Sequence, residues 1–375
     1  MTLTTVSFAF LIVATLLVRL LLTSKERWTA LAVINLLMLM VVAGRLAPLA
    51  IALILVAWLL MRQGGAKMQR WRLVAVIVLG LIFLIGPKLN PHLESERQFP
   101  MLIGASYLAF CLIGLAVDRT RGHVTKVGFV DFWNWISFFP SFTAGPIRRY
   151  MPFVEQLSTS TRLQDIWWGA TRLLIGIFKR LVLVSMLTPT ANFLNETGAS
   201  TWQCWLGMYA YTLKIYLDFS AYTDIALGAA GMLGLKIEEN FNWPYLATNI
   251  STFWKRWHMS LTGWLRDYLF IPLGGSRAGW PRTALNTVVI MVVIGLWHGL
   301  AWHYLAWGLY HAAGLLIYRA YTDLFRGGDR GIRPGLWRRL GAGLFTFHFV
   351  AFGWLLFACD VQQAWRVVVT MFTGG

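Results

Sequence analysis

Apolar runs of roughly 15 to 25 residues follow one another along almost the whole chain, and a run of that length matches the thickness of a lipid bilayer. Inside a bilayer each run must satisfy its own backbone hydrogen bonds, which restricts these segments to helices. The runs are Leu3–Leu22, Trp28–Val42, Leu46–Met61, Leu73–Ile85, Phe99–Val117, Ile166–Leu187, Trp202–Leu233, Leu285–Trp297, Ala301–Tyr318 and Leu340–Ala358. They predict an all-α polytopic membrane protein with about ten spans, several short enough to require tilt or partial entry. The first run has no basic residues before it and no small-residue cleavage site after it, so it is expected to be a retained span.

Composition agrees. The chain is 57% hydrophobic and 13% charged, with a mean hydropathy of +0.59, far outside the range of soluble domains. The net charge of +17 does not point to nucleic acid, because the lysines and arginines fall mostly in short loops between apolar runs. Arg62, Lys67, Arg70 and Arg72 form one such loop without an acid, whereas Lys88 and Arg97 are balanced by Glu94 and Glu96. The first loop is expected inside and the second outside, with Asp118–Lys126 returning inside. Six arginines between Arg319 and Arg339, against Asp323 and Asp329, mark another cytoplasmic loop. No internal repeat or soluble domain is visible, so residues 1–375 read as a single membrane-embedded domain.

Two segments resist this simple scheme. Phe129–Arg149 is aromatic and apolar but broken by Pro140, Gly145 and Pro146, and is expected to enter the bilayer and turn back. Ile250–Pro272 carries four basic residues, which makes a lipid-facing span costly. Both imply a polar interior. If residues 250–269 form one helix, Trp254, His258, Leu261, Leu265 and Leu269 share a face, with Arg256 and Asp267 nearly opposite. His258 then points into protein.

Several chemistries find no support in the sequence. Cys111, Cys204 and Cys359 are scattered in apolar stretches without metal or disulfide spacing, and read as packing residues. His298, His303 and His311 are spaced by five and eight with no carboxylate among them, so no metal site is expected. A phosphate-binding GxxxxGK[ST] loop and a GxSxG elbow are both absent. What remains is a histidine in lipid-like sequence. His298, following Trp297 and lying between Gly295 and Gly299, has room around it for a substrate and suits proton abstraction from a hydroxyl. It could equally be a helix-packing residue. For His258, an interfacial aromatic helix with Trp254 and Trp257 as belt residues is the simpler reading. Asp218 and Asp224 are expected to neutralise Arg256 or Arg266, a proton relay being the alternative. Arg148 and Arg149, beside Gly145 and Pro146, either hold a phosphate-bearing substrate or form a basic loop end. His303 and His311 read as core residues.

Three ordered blocks, LDFSAYTDIALG, ENFNWPYLATNISTFWKRWHMSLTGWLRDYLFIPLGG and GLWHGLAWHYLAWGLYHAAGL, with FFPSFTAGPIRRY as a weaker marker, resemble the membrane-bound O-acyltransferase family. The similarity is to the bacterial branch that includes the alginate O-acetylation membrane protein and the D-alanyl transfer protein of teichoic acid synthesis, and covers about Phe99 to Phe357. The resemblance implies a ring of tilted helices and re-entrant segments around a central funnel in the bacterial inner membrane. It also implies His298 as the principal catalytic histidine and His258 as a second one, without a bound cofactor or metal. The acyl donor would be acetyl-CoA or an acyl-carrier-protein thioester, presented from the cytoplasm. The acceptor would be a hydroxyl of an extracytoplasmic polysaccharide. Periplasmic acyl-transfer or polysaccharide-export proteins, an acyl carrier protein and membrane lipid are the implied partners. His298 would take the hydroxyl proton while His258, Asn249 or Trp257 steadies the oxyanion. Trp254, Arg256, Asp267, Trp297 and Arg148 would line the substrate or donor path. Measured against the alginate type, part of the terminal helices is missing. A transporter or flippase, or a scaffold for periplasmic polysaccharide enzymes, would share the broken helices and buried charge.

Overall fold

The structure of the protein, a computed structural model, describes residues 24–62, 69–89, 104–142, 145–158, 162–325 and 335–374. The expected first span, Leu3–Leu22, lies outside the described residues, as do most of the Lys88–Arg97 loop and the centre of the Arg319–Arg339 loop. Helices are the regular structure of the described residues, joined by turns and short irregular segments, with no strand among these residues. Four segments among them, Glu26–Arg62, Leu163–Asn195, Trp280–His298 and Leu336–Ala358, are long and apolar enough to cross a membrane. Large apolar side chains such as Leu174 and Met186 on the second of these spans and Phe345 on the fourth face outward, as lipid-facing helix surfaces require.

The chain divides into two compact units, residues 1–177 with 222–239, and residues 178–221 with 240–375. In the first unit the helices are α1 (Ser24–Ala43), α2 (Ala47–Arg62), α3 (Arg70–Leu89), α4 (Ala105–Arg121), α5 (Phe129–Ile136), α6 (Tyr150–Val154) and α7 (Leu163–Phe178). The predicted re-entrant segment begins as α5 and then becomes irregular, and residues 132–142 are all buried. Buried irregular backbone needs partners, and α1 supplies them. Asn35 donates to Asn134 Oδ1 at 3.0 Å and accepts from the Phe139 N–H at 3.0 Å, while Asn134 donates to Trp28 O at 2.9 Å. Trp133 Nε1 donates to Ala32 O and Trp28 Nε1 to Asp131, each at about 2.9–3.0 Å.

Helix α7 meets the end of a long helix, α9 (Thr201–Met232), through glycine. A Cβ on Gly169 would lie 2.6 Å from the Met232 nitrogen, and one on Gly228 2.5 Å from the Leu173 nitrogen. Backbone contact of this kind is how apolar helices gain dispersion energy when lipid offers no hydrophobic driving force. The crossing also carries charge. Arg172 pairs with Asp224 at 2.6 Å and with Glu239 at 2.9 Å.

The second unit holds a π-helical turn (Lys179–Leu183), α8 (Val184–Ala191), the first part of α9, α10 (Ile250–Arg256), α11 (Met259–Leu265), a second π-helical turn (Arg266–Phe270), α12 (Trp280–His298), α13 (Trp302–Phe325), α14 (Leu336–Ala358) and α15 (Val361–Thr373). One apolar cluster joins Leu194, Cys204 and Met208 to Ala351, Leu355 and Cys359 and to Ala364, Val367 and Met371 of α15. All three cysteines are free and buried, in keeping with a packing role. Within this unit Asp218 pairs with Arg180. The expected pairing of Asp218 and Asp224 with Arg256 or Arg266 is therefore corrected: their partners are Arg180 and Arg172, and Arg266 pairs with Asp267 at 2.8 Å.

Candidate active site

The single helix expected over residues 250–269 is two short ones. Asn249 caps α10 by accepting from the Thr252 N–H at 2.7 Å, and α10 stops at Arg256. His258 then takes a left-handed backbone conformation, φ 44°, one of two non-glycine residues among those described to do so. Such a conformation costs about 1–2 kcal/mol and persists only where surrounding structure enforces it. Here the irregular segment 240–242 enforces it. The Asn242 N–H donates to Arg256 O at 3.0 Å and the Met259 N–H donates to Asn240 O at 2.9 Å, one bond on each side of the break. Helix α11 restarts immediately, with Thr262 N–H on His258 O. The apolar periodicity runs on across the interruption, so Leu261 and Leu265 stay buried as expected.

The break aims the imidazole. His258 is 7% exposed, so the inward orientation holds. Its Nδ1 lies 3.2 Å from Asn240 Oδ1, which also accepts from Ser260 Oγ at 2.6 Å. A carbonyl oxygen can only accept, so this contact places a proton on Nδ1 and leaves Nε2 as the basic nitrogen. Phe219 packs edge-on against the ring at 4.7 Å. The interfacial-belt reading is overturned: Trp254 and Trp257 are 7% and 5% exposed and lie inside an aromatic core. Trp257 packs on Trp354 at 4.9 Å, and Trp254 on His311 at 5.2 Å.

His298 is the last residue of α12 and is half-buried. Four rings surround it: Trp297 at 4.5 Å, Phe357 at 4.7 Å, Trp307 at 5.6 Å and Tyr304 at 6.2 Å. Trp297 also contacts His258 at 6.1 Å. Two histidines 40 positions apart in sequence thus touch one indole.

The flanking glycines have a different task from the one expected. A Cβ on Gly295 would lie 2.3 Å from Tyr304 O, and one on Gly299 2.4 Å from the Tyr304 ring. The space beside them is filled by α13, not open to a substrate. Gly308 completes the contact, its Cβ position lying 2.5 Å from Met291 O. Gly295→Val is therefore expected to force α12 and α13 apart at a cost of about 1–3 kcal/mol, displacing His298. Thermal unfolding of the purified protein in detergent checks this; an unchanged midpoint would contradict the packing described.

Of the other residues singled out in the sequence, Arg256 is half-buried with its carbonyl used in the break, and Asp267 is held by Arg266. Arg148 belongs to the first unit. It is 1% exposed, donates to Trp135 O, and is surrounded by Tyr107, Phe138 and Phe153 at 4.9–5.3 Å. His303 donates from Nδ1 to Leu356 O at 3.0 Å, the carbonyl being able only to accept. His311 is fully buried against Trp307 at 5.0 Å, as a core residue. Asn240, Phe219, Tyr304, Trp307 and Phe357 complete the site, and nothing in local spacing singled them out. The available signal was membership of the ordered blocks: Asn240 stands near the start of the block that holds His258, Phe219 lies in LDFSAYTDIALG, and Tyr304 and Trp307 follow His298 in the third.

Two cavities among the described residues of this unit bear on the site. One, of about 170 Å³, is lined by Trp254, Thr262, Arg266, Thr287 and Met291 among others. The second, of about 500 Å³, is lined by Asn249 and by residues of α13 and α14. Neither is lined by His258 or His298.

The sequence matches the profile described as MBOAT, membrane-bound O-acyltransferase family, over residues 20–340. It is 37% identical over 277 residues to a protein named probable alginate O-acetylase from Azotobacter vinelandii, covering 73% of this chain and 54% of that one. Identity is 34% over 250 residues to a peptidoglycan O-acetyltransferase of Helicobacter pylori, covering 65% of this chain and 46% of that one. It is 30% over 272 residues to a teichoic acid D-alanyltransferase of Bacillus subtilis, covering 68% of each. The chain spans about half the length of the alginate and peptidoglycan relatives it matches.

Proposed function

Since this chain belongs to the membrane-bound O-acyltransferase family, we propose that it moves an acyl group, acetyl foremost, from a cytoplasmic thioester to a hydroxyl of an extracytoplasmic polysaccharide. The observation that carries the reading is the pair of imidazoles on Trp297, one of them, His258, with its tautomer set by Asn240. His298 takes the proton from the acceptor hydroxyl as its oxygen attacks the thioester carbonyl. The tetrahedral oxyanion forms, the carbon–sulfur bond breaks, and the departing thiolate recovers the proton from the His298 imidazolium. An ester and a free thiol result. The Trp297 indole N–H, between the two imidazoles, is the donor proposed for the oxyanion, since the proton on His258 Nδ1 is already given to Asn240. The four rings packed around half-buried His298 are proposed to limit access of bulk water and so to favour transfer over hydrolysis.

Acetyl-CoA is the donor we favour, with an acetylated uronate or amino-sugar glycan as product, because the similarity to O-acetylating relatives is the higher. D-alanyl transfer from a carrier-protein thioester is the second reading, supported by the Bacillus subtilis relative, which matches over an equal share of both chains. Residence in the bacterial inner membrane, with polysaccharide-export or periplasmic acyl-transfer proteins as partners, follows from the same reading. Arg148, Arg256 and Asp267 are proposed to shape the substrate path.

A test uses the full chain reconstituted in lipid nanodiscs, with radiolabelled acetyl-CoA or carrier-bound acyl thioester on one side and glycan hydroxyls on the other. Label should appear as a hydroxylamine-sensitive ester. If glycan crosses the bilayer without gaining label from either donor, the chain is a transporter and the enzyme reading fails.

A further inference from the structure

The larger cavity of the second unit has a composition that the acyl-transfer reading does not use. It lies between α13 and α14, with Ile317, Phe345 and Phe349 as apolar walls and Arg338 and Arg339 at one end. The two arginines sit in the opening turns of α14, a helix apolar enough to span a membrane. They therefore lie at the membrane boundary, on the side where six arginines outnumber two aspartates between residues 319 and 339. Ile317 and Phe345 are 69% and 76% exposed, so the apolar wall continues onto the lipid-facing surface. A cavity of about 500 Å³ falls in the range of small-ligand sites. Fixed positive charge at the headgroup level above an apolar slot open to the lipid is complementary to an anionic amphiphile.

The donor thioester is a poor match for this pocket. Its inner wall is closed, since Phe349 lies on Gly314 so tightly that a Cβ there would be 2.3 Å from the ring. Three successive ring contacts, Phe349 to His311, His311 to Trp307 and Trp307 to His298, separate that wall from the candidate base.

We propose that this pocket binds an anionic phospholipid, with its phosphate on Arg338 and Arg339 and an acyl chain along Ile317, Phe345 and Phe349. The site rests on the membrane placement of α14 alone and stands whether or not acyl transfer occurs.

Native mass spectrometry of the delipidated full-length protein, titrated with phosphatidylglycerol or phosphatidylcholine, tests the site. One tightly held phosphatidylglycerol is expected, preferred over phosphatidylcholine by about 30-fold, from roughly 1 kcal/mol per basic group. Arg338→Gln with Arg339→Gln should abolish the preference; both side chains are on the exposed first turns, so folding is retained. Ala342→Trp fills the pocket with both charges in place and should also release the lipid. Equal binding of the two lipids, or undiminished phosphatidylglycerol binding in Ala342→Trp, would overturn the proposal. So would stoichiometric displacement of the lipid by coenzyme A, which would give the pocket to the donor, or by inorganic phosphate, which would reduce it to a simple anion site.

Discussion

His298→Ala is expected to lower the rate of acyl transfer by about 10²–10⁴-fold, the usual contribution of a positioned general base. The membrane level of the protein should persist. Because the ring packs on Phe357 at 4.7 Å and on Trp307 at 5.6 Å, alanine also removes packing. His298→Phe separates the two effects, since it keeps an aromatic ring among those neighbours but has no basic nitrogen. Initial rates of label transfer, normalised to folded protein, decide between them. Full activity in the phenylalanine variant would mean that the imidazole is a packing element, and the proposed chemistry would then have no base.

The second large effect is on stability. Arg172→Ala should destabilise the first unit by about 3–5 kcal/mol, the cost of removing one member of a buried ion pair. The Asp224 side chain is 8% exposed and only 2.6 Å from the guanidinium, in a crossing where Gly169 and Gly228 bring the backbones of α7 and α9 into close contact. Arg172→Lys keeps the charge but not the two-pronged contact with Glu239, at 2.9 and 3.0 Å, and should lose less. Replacing both members, Arg172→Leu with Asp224→Leu, should restore part of what the single change removes. Thermal unfolding in a single detergent provides the measurement. A wild-type midpoint for Arg172→Ala would show that the ion pair does not hold the crossing together.

Much of the architecture was legible because lipid leaves a chain few options. The helices over Trp28–Val42, Leu46–Met61 and Leu285–Trp297 follow directly from uninterrupted apolar length. The inward aim of His258 was legible from its face, shared with Leu261 and Leu265. The break at His258 was not, because hydrophobic periodicity records which side a residue takes and is silent on the sign of φ. The interruption is imposed by Asn240 and Asn242, more than ten residues earlier. Charge pairing failed for a related reason. Asp224 finds Arg172 at a separation of 52 residues, and sequence alone offered the nearer Arg256 and Arg266. The glycines beside Trp297 and His298 misled because a missing side chain signals close approach without naming what approaches. Here it is Tyr304 of α13, its carbonyl against Gly295 and its ring against Gly299.

The left-handed backbone at His258 bears on how its chemistry can be probed. An alanine at 258 would delete the imidazole and also press a residue ill-suited to positive φ into the link between α10 and α11, so a dead variant would confound lost reactivity with a distorted hinge. Asparagine tolerates that conformation and retains a polar group near Asn240. It is the residue with which the contribution of the imidazole can be read apart from that of the turn.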